Sequence, residues 1–293
     1  MHPILLEDTW IGDLHGYGTM VLLGGLCLAP GLWWDAKRRG MPGELLLDFY
    51  IVLVVGCFVG GRLLDVLSRP AVFLAEPMRI FSGQENFVFY GSLFGVLLGF
   101  VWLARRYRRP VADVADLLAP WIGVGHGVAR VGCYFAGCCF GAPVVGDPAW
   151  ALHFPPGSIA FDGGEVAHAG AHTVGLFPVQ LAEVVGLEVI GLALVATRVL
   201  RGVESRWRMS ARYALLYGCL RMVTELFRGD HSRNHLFTVE FPGLADLLRL
   251  PADQPFLLST SQLVSLALIG WGAAVIIRTR RAEHALSSAD RRP

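Results

Sequence analysis

Three arginines lie within long apolar segments, where burying a charged side chain is energetically costly. They are Arg62 in VGCFVGGRLLD, Arg130 in GVGHGVARVGC and Arg221 in YGCLRMVTELFR. A guanidinium group is planar, stays charged when buried and binds phosphate through two parallel hydrogen bonds. These residues therefore predict a site for a phospholipid headgroup or another anion. The alternative is that each arginine pairs with a buried carboxylate. The candidate carboxylates are Asp65, Asp116, Glu183 and Glu225.

Spacing places two further side chains beside these arginines. His126 and Arg130 are four residues apart, as are Arg221 and Glu225, so each pair shares one face of a helix. His126 is a candidate proton acceptor, or else a core histidine bonded to a carbonyl group. The glycines at 123, 125, 127 and 132 permit close helix packing or let a headgroup approach the backbone.

The six cysteines divide into a cluster and three scattered residues. The cluster is Cys133, Cys138 and Cys139 in GCYFAGCCFG, whereas the other three lie singly in apolar runs. Its spacing lacks the paired C-x2-C elements of a structural zinc site, so the sequence predicts no metal. A disulfide and plain packing both stay open, and packing is favoured.

The elements that position these side chains are membrane-spanning helices. The chain has 293 residues, of which 54% are hydrophobic and 17% charged, far from the balance of a soluble protein. A net charge of +1 excludes a nucleic-acid binder that relies on charge. About 20 apolar residues cross a bilayer, and the sequence predicts an all-α protein with seven such spans. They lie near 15–34, 47–67, 87–104, 114–133, 179–197, 213–227 and 260–277.

The positive charges give these spans a direction. With the N-terminus outside, seventeen of the 25 Lys and Arg residues fall in cytoplasmic segments and five in outer ones. The C-terminus is then cytoplasmic. The first residues, MHPILLEDTWIGD, carry no basic region and predict no removable signal peptide. We treat residues 1–293 as one polytopic domain, in which the outer loop 134–178 forms a packed cap.

Ordered motifs along most of the chain resemble the prolipoprotein diacylglyceryl transferases of bacteria. The signature arginine lies in ARVGCYFAGCCFG at 129–141, and the Arg-x-x-x-Glu-x-x-Arg segment in YGCLRMVTELFRGD at 217–230. The further matching segments are LHGYG at 14–18, FVGGR at 58–62, YGSLFGV at 90–96, ADLLAP at 115–120, FPVQLAE at 177–183 and LSTSQLVSL at 258–266.

The resemblance implies an enzyme of the bacterial cytoplasmic (inner) membrane that needs no cofactor. It implies transfer of diacylglyceryl from phosphatidylglycerol to the lipobox cysteine of a prolipoprotein, which forms a thioether and releases glycerol phosphate. It places Arg130 and Arg221 at phosphate-handling positions. Other residues that it places at or beside the site are Tyr17, Gly141, Glu183 and Glu225. We add Arg62 and Cys133 as candidate lipid-binding residues and His126 as a candidate catalytic residue.

The sequence departs from the family pattern at three positions. Tyr90 stands where the family has a histidine, Cys133 replaces the signature asparagine, and Cys138 replaces its acidic residue. Tyr90 is therefore the candidate catalytic residue at the histidine position. The alternative function is that of a non-catalytic or thiol-redox relative that binds anionic phospholipid.

Overall fold

The chain is mainly helical in a computed structural model that describes residues 4–9, 12–81, 89–202, 207–230 and 235–289. The described residues form ten α-helices and six short strands. The helices are α1 (Gly16–Arg38), α2 (Glu44–Ser68), α3 (Pro70–Ala75), α4 (Phe89–Arg106), α5 (Val111–Ala136), α6 (Ile159–Asp162), α7 (Val179–Arg201), α8 (Arg208–Glu225), α9 (Pro242–Leu247) and α10 (Thr260–Ala289). The strands are β1 (Ile4–Thr9), β2 (Gly12–His15), β3 (His168–Ala169), β4 (His172–Thr173), β5 (His235–Glu240) and β6 (Pro255–Ser259).

A long helix lies at each of the seven apolar segments predicted from the sequence. Four of them, α1, α2, α7 and the Thr260–Ala282 part of α10, are long and apolar enough to cross a membrane. The expectation of a helical integral membrane protein is confirmed in this coarse form. The strands, which the sequence did not predict, pair only as three antiparallel two-stranded ladders.

The chain divides into two compact units. The second unit comprises residues 29–118 and 205–207, and its main helix pair is α2 and α4. Two G-x-x-x-G patterns meet there, Gly56 with Gly60 on α2 and Gly91 with Gly95 on α4. A methyl group on any of these four glycines would overlap backbone atoms of the opposite helix. Small residues therefore set the close approach of this pair, as in other membrane helix pairs.

The first unit comprises residues 1–28, 119–204 and 208–293, and it holds the segments that contain Arg130 and Arg221. Helix α8 packs against both α7 and α10. A buried apolar cluster forms its core and consists of Ala119, Ile190, Leu194 and Met209. Glu183 is on the same buried face of α7 as Ile190 and Leu194, and it contacts Arg221 of α8.

The loop between α5 and α7 folds around a core of its own. Phe140, Phe154, Ala160, Val166 and Leu176 are all buried together. The sequence predicted a packed loop from its aromatic content, and this packing is present within the loop.

The β5–β6 ladder leads the chain into α10. His235 pairs with Ser259 in this ladder, and Ser259 is also the residue before the helix. The amide N–H of Ser259 donates to Gln262 Oε1 at 2.9 Å, while that of Gln262 donates to Ser259 Oγ at 3.2 Å. This reciprocal capping box fixes the start of α10 beside the buried polar site.

Candidate active site

Glu183 is the centre of a buried polar network in the first unit. It lies in the second turn of α7 and is 3% exposed. Its Oε2 contacts Arg130 Nε at 3.0 Å, and its Oε1 accepts hydrogen bonds from Arg221 Nη1 and, at 3.1 Å, from Thr224 Oγ1. One carboxylate therefore holds the two arginines that the sequence placed at phosphate-handling positions.

Glu225 holds Arg221 from its other side. The Arg221 Nη2 group contacts Glu225 Oε2 at 2.8 Å and donates to Ser261 Oγ at 3.3 Å. Ser259 Oγ donates to Glu225 Oε1 at 2.8 Å. Because both carboxylates and the serines are fixed by helices α7, α8 and α10, the Arg221 guanidinium has a defined orientation.

Arg228 is a third buried arginine in the same network. Its Nη1 lies 3.8 Å from Glu225 Oε2, and its Nε donates to Asp230 Oδ1 at 2.7 Å. Burial alone lowers the pKa of Arg228, but the hydrogen bond and charge of Asp230 outweigh that effect and raise it above the usual value. Arg228 therefore stays charged.

The formal charges of this network balance. Arg130, Arg221 and Arg228 face Glu183, Glu225 and Asp230. The alternative that buried carboxylates neutralise the arginines is thus correct for Arg130 and Arg221. It does not exclude anion binding, since a guanidinium group has five N–H donors and the contacts of Arg221 with Glu183, Glu225 and Ser261 use three of them.

The cysteine cluster adjoins Arg130 at the end of α5. Gly137, at φ +69°, ends the helix with a Schellman motif, in which the amide of Cys138 donates to Cys133 O at 3.2 Å and that of Gly137 to Tyr134 O at 3.3 Å. Cys139 is also left-handed, at φ 54°. These two turns bring the sulfur atoms of Cys133, Cys138 and Cys139 within 4.8 Å of one another.

Cys138 and Cys139 lie in different electrostatic environments. Hydrogen bonds from Cys133 and Cys138 lower the pKa of Cys139, and the charges of Arg130 and Arg228 lower it further. The pKa of Cys138 is raised by its hydrogen bonds with Cys133 and Cys139 and by burial. Arg130 Nη1 lies 3.7 Å from Cys133 Sγ. Cys139 is therefore the thiol most favoured as a thiolate.

Two other predicted site residues, Gly141 and Tyr17, make close backbone contacts. Gly141 pairs with Arg228 in an isolated antiparallel bridge, and a methyl group there would overlap Phe177 O. Tyr17 is 50% exposed, and its carbonyl oxygen would lie 2.9 Å from a methyl group on Gly132. Gly141 thus permits the close approach of the Phe177 backbone, and Tyr17 lies along α5 close to Cys133.

His126 has aromatic partners in the first unit. Its Nδ1 lies 3.4 Å from Tyr213 Oη, and its ring centroid is 5.5 Å from that of Tyr217. Its predicted catalytic role stays a prediction. The glycines around it pack closely, with Gly123 against Gly191 and Gly125 against Gly24.

Arg62 and Tyr90 belong to the second unit. Arg62 Nη1 lies 3.7 Å from Asp65 Oδ2, and Asp65 also pairs with Arg69. The carboxylate alternative thus describes Arg62 as well. Tyr90 is the second residue of α4, and its side chain lies outside the described residues.

Sequence reasoning missed five polar residues of the network: Thr224, Arg228, Asp230, Ser259 and Ser261. Arg228 was counted with an outer loop, although it lies only three residues beyond Glu225, the last residue of α8, and contacts it. Thr224 and Ser259 gave no charge signal. The signal available for Arg228 was its place as the last arginine of the Arg-x-x-x-Glu-x-x-Arg segment.

Comparison with known proteins gives the family. The sequence model described as prolipoprotein diacylglyceryl transferase matches residues 6–278. A phosphatidylglycerol–prolipoprotein diacylglyceryl transferase of Clostridium tetani is 27% identical over 92% of this chain and 94% of its own. The enzyme of that name from Proteus mirabilis is 32% identical over 77% of this chain and 80% of its own, and that from Yersinia enterocolitica is 31% identical over 77% and 81%. The chain belongs to the prolipoprotein diacylglyceryl transferase family.

Proposed function

We propose that this protein transfers the diacylglyceryl group of phosphatidylglycerol to the lipobox cysteine thiol of prolipoproteins. The observation that supports this most directly is that Glu183 forms ion pairs with both Arg130 and Arg221. The site is buried, and the chain belongs to the transferase family. The similarity to transferases over most of the chain favours transfer over the non-catalytic or thiol-redox alternative.

The reaction replaces a carbon–oxygen bond by a carbon–sulfur bond. The lipobox sulfur attacks the glyceryl carbon that is bonded to phosphate, its proton leaves to a base or to solvent, and glycerol phosphate departs with the bonding electrons. Negative charge grows on the departing phosphate. Oriented guanidinium groups in a site that excludes water stabilise such charge without reorganising at the moment of reaction.

In this proposal Arg130 and Arg221 bind the phosphate, and Glu183 and Glu225 orient them. Arg130 is the more accessible of the two, with 14% of its side chain exposed against 9% for Arg221. Arg130 therefore meets the headgroup first. Tyr90 at the histidine position, or His126, is the proposed proton acceptor, and Tyr17, Gly141, Cys133 and Arg62 are the further proposed lipid contacts.

The membrane placement follows from the charge distribution. We infer that all seven long helices span the bacterial inner membrane as one polytopic domain, with the N-terminus outside and the C-terminus cytoplasmic. The loop 134–178 then forms an extracytoplasmic cap. The concentration of Lys and Arg on one side of the helices supports this direction.

The test is transfer of a labelled diacylglyceryl group from phosphatidylglycerol to a lipobox peptide in membranes that contain the protein. Arg130→Ala should lower the rate by at least about 100-fold, the loss typical of removing one donor to a developing anion. The matched control is Arg79→Ala, because Arg79 is 43% exposed and pairs with Glu76. Lack of transfer by the correctly inserted natural protein would refute the proposal.

A second arm addresses the substituted histidine position. Cells depleted of their own transferase should grow when they receive the natural sequence, and Tyr90→His should retain that growth. Loss of growth with Arg130→Ala but not with Arg79→Ala would connect complementation to the arginine network.

A further inference from the structure

We propose that Cys133, Cys138 and Cys139 together bind one thiophilic d10 metal ion of the Zn2+ class through three thiolate ligands. This inference concerns a site beside the arginine network and does not depend on the transfer reaction.

The backbone already brings the three sulfur atoms together. All lie within 4.8 Å of one another. A Zn–S bond of about 2.3 Å in tetrahedral geometry separates sulfur atoms by about 3.8 Å, so closing on a metal needs a shift of about 1 Å at most. Side-chain rotation of the two half-buried cysteines supplies such a shift.

Two defined turns produce this convergence. Cys133 is in the last turn of α5, and the Schellman hydrogen bond from the Cys138 amide to Cys133 O returns the chain onto it. The left-handed backbone of Cys139 then points a third thiol inward at the cost that a residue with a Cβ incurs there. Spacing alone does not reveal this, because C-x4-C-C looks unlike paired C-x2-C elements.

Charge and ligand softness select the ion. Three thiolates with a divalent ion carry a net charge of −1, and Arg130 Nη1 lies 3.7 Å from Cys133 Sγ to balance it. Sulfur ligands favour Zn2+, Cd2+ or Cu+ over Mg2+ or Ca2+. Cys133 is buried while Cys138 and Cys139 are half-buried, so an ion can reach the cluster from one side and keep a fourth position for water or an external thiol.

Three converging thiols suit a metal better than a disulfide. A disulfide joins two of them and leaves the third, and the adjacent pair Cys138 and Cys139 is poorly placed for mutual bonding. A metal ion uses all three. We therefore make the disulfide an outcome of the test.

The experiment titrates the purified full-length protein in detergent, kept reduced, with Cd2+ while thiolate-to-cadmium ultraviolet absorption is recorded. We expect one Cd2+ per chain, release of protons from those cysteines that are still thiols, and displacement by Zn2+. Cys133→Ser, Cys138→Ser and Cys139→Ser should each weaken binding by more than about 100-fold, beyond the loss caused by changes to outer partners. Cys219→Ser is the control, since Cys219 is an exposed thiol on α8.

A measurement on the natural protein tests the site even if the cysteine variants fail to fold. X-ray absorption of the Zn2+-loaded chain should show three sulfur neighbours at about 2.3 Å. Absence of Cd2+ binding to the folded, reduced protein, equal loss with Cys219→Ser, or a native disulfide between two of the three cysteines in freshly isolated membranes would overturn the proposal. None of these readouts requires diacylglyceryl transfer, so failure of the metal site and failure of the transferase are distinguishable.

Discussion

Replacing Glu183 by Gln tests the idea that one carboxylate organises both phosphate-binding arginines. The change keeps the size of the side chain and removes its negative charge. Glu183 is 3% exposed and contacts Arg130 Nε at 3.0 Å, Arg221 Nη1, and Thr224 Oγ1 at 3.1 Å. Two buried guanidinium groups therefore lose their shared counter-charge in a single step.

The expected loss of stability is about 3 kcal/mol. Removing one partner of a buried ion pair costs roughly 3–5 kcal/mol, because the remaining charge is left uncompensated. The amide oxygen of Gln still accepts a hydrogen bond, which places this variant at the lower end, and Glu183→Ala should approach the upper end. If the interaction is lost in the transition state for unfolding, about 3 kcal/mol raises the unfolding rate by about 100-fold.

Transfer should fall as well as stability. A displacement of about 1 Å at a catalytic group can cost about 100-fold in rate, and Arg130 and Arg221 are both positioned through Glu183. Anionic phosphatidylglycerol supplies part of the missing charge. It should therefore slow the thermal inactivation of Glu183→Gln more than that of the natural protein, whereas phosphatidylcholine should not.

The assay is the rate of thermal inactivation in detergent, together with transfer to a lipobox peptide. Glu188→Gln is the matched control, because it lies five residues further along α7 and its Oε1 has no hydrogen-bond partner among the described residues. The control removes a carboxylate charge that pairs with neither Arg130 nor Arg221, so it should not lower stability. Equal inactivation rates for the two variants, or natural transfer activity in Glu183→Gln, would refute the reasoning.

Two further variants test how the helices are positioned. Gly60→Ala should destabilise the α2–α4 pair by about 1–3 kcal/mol, seen as a lower melting temperature, because the new methyl group overlaps Gly91 O. Gly270→Ala should not lower the melting temperature, because its methyl group meets no atom within 4 Å. Equal melting temperatures for Gly60→Ala and Gly270→Ala would contradict the packing argument. Ser259→Ala should cost at least about 1 kcal/mol, because it removes both the cap on the Gln262 amide and the hydrogen bond to Glu225 Oε1. An unchanged melting temperature would show that neither contact holds α10 in place.

Helix positions were predictable because apolar runs of the length of a bilayer can satisfy their backbone groups only as helices. Their ends were less so. The span predicted near 114–133 is α5 (Val111–Ala136), and that near 260–277 continues to Ala289 in α10, since polar residues that form helices follow the apolar run. The short ladders β1–β2 and β5–β6 gave no clear alternation of apolar and polar residues.

Site residues could be predicted where a charged residue lies within an apolar run. They could not be predicted in polar loop segments, where charged residues are common. Arg130 and Arg221 were visible because an arginine in an apolar run is costly without a function. Arg228 lies just after such a run, so it looked like one more loop residue, yet it is buried and paired with Asp230. The sequence shows which residues are charged, but burial depends on how the chain folds back over them.

Pairing, more than net charge, decides how such a site handles a phosphate. The three arginines and three carboxylates of the network balance, so an arriving lipid finds no excess positive charge to attract it over long distances. In the function proposed above, its phosphate instead binds donors of Arg130 and Arg221 that Glu183 and Glu225 leave available. Affinity then depends on donor geometry, is only weakly screened by salt because the groups are buried, and is lost when either carboxylate can no longer hold its arginine in place.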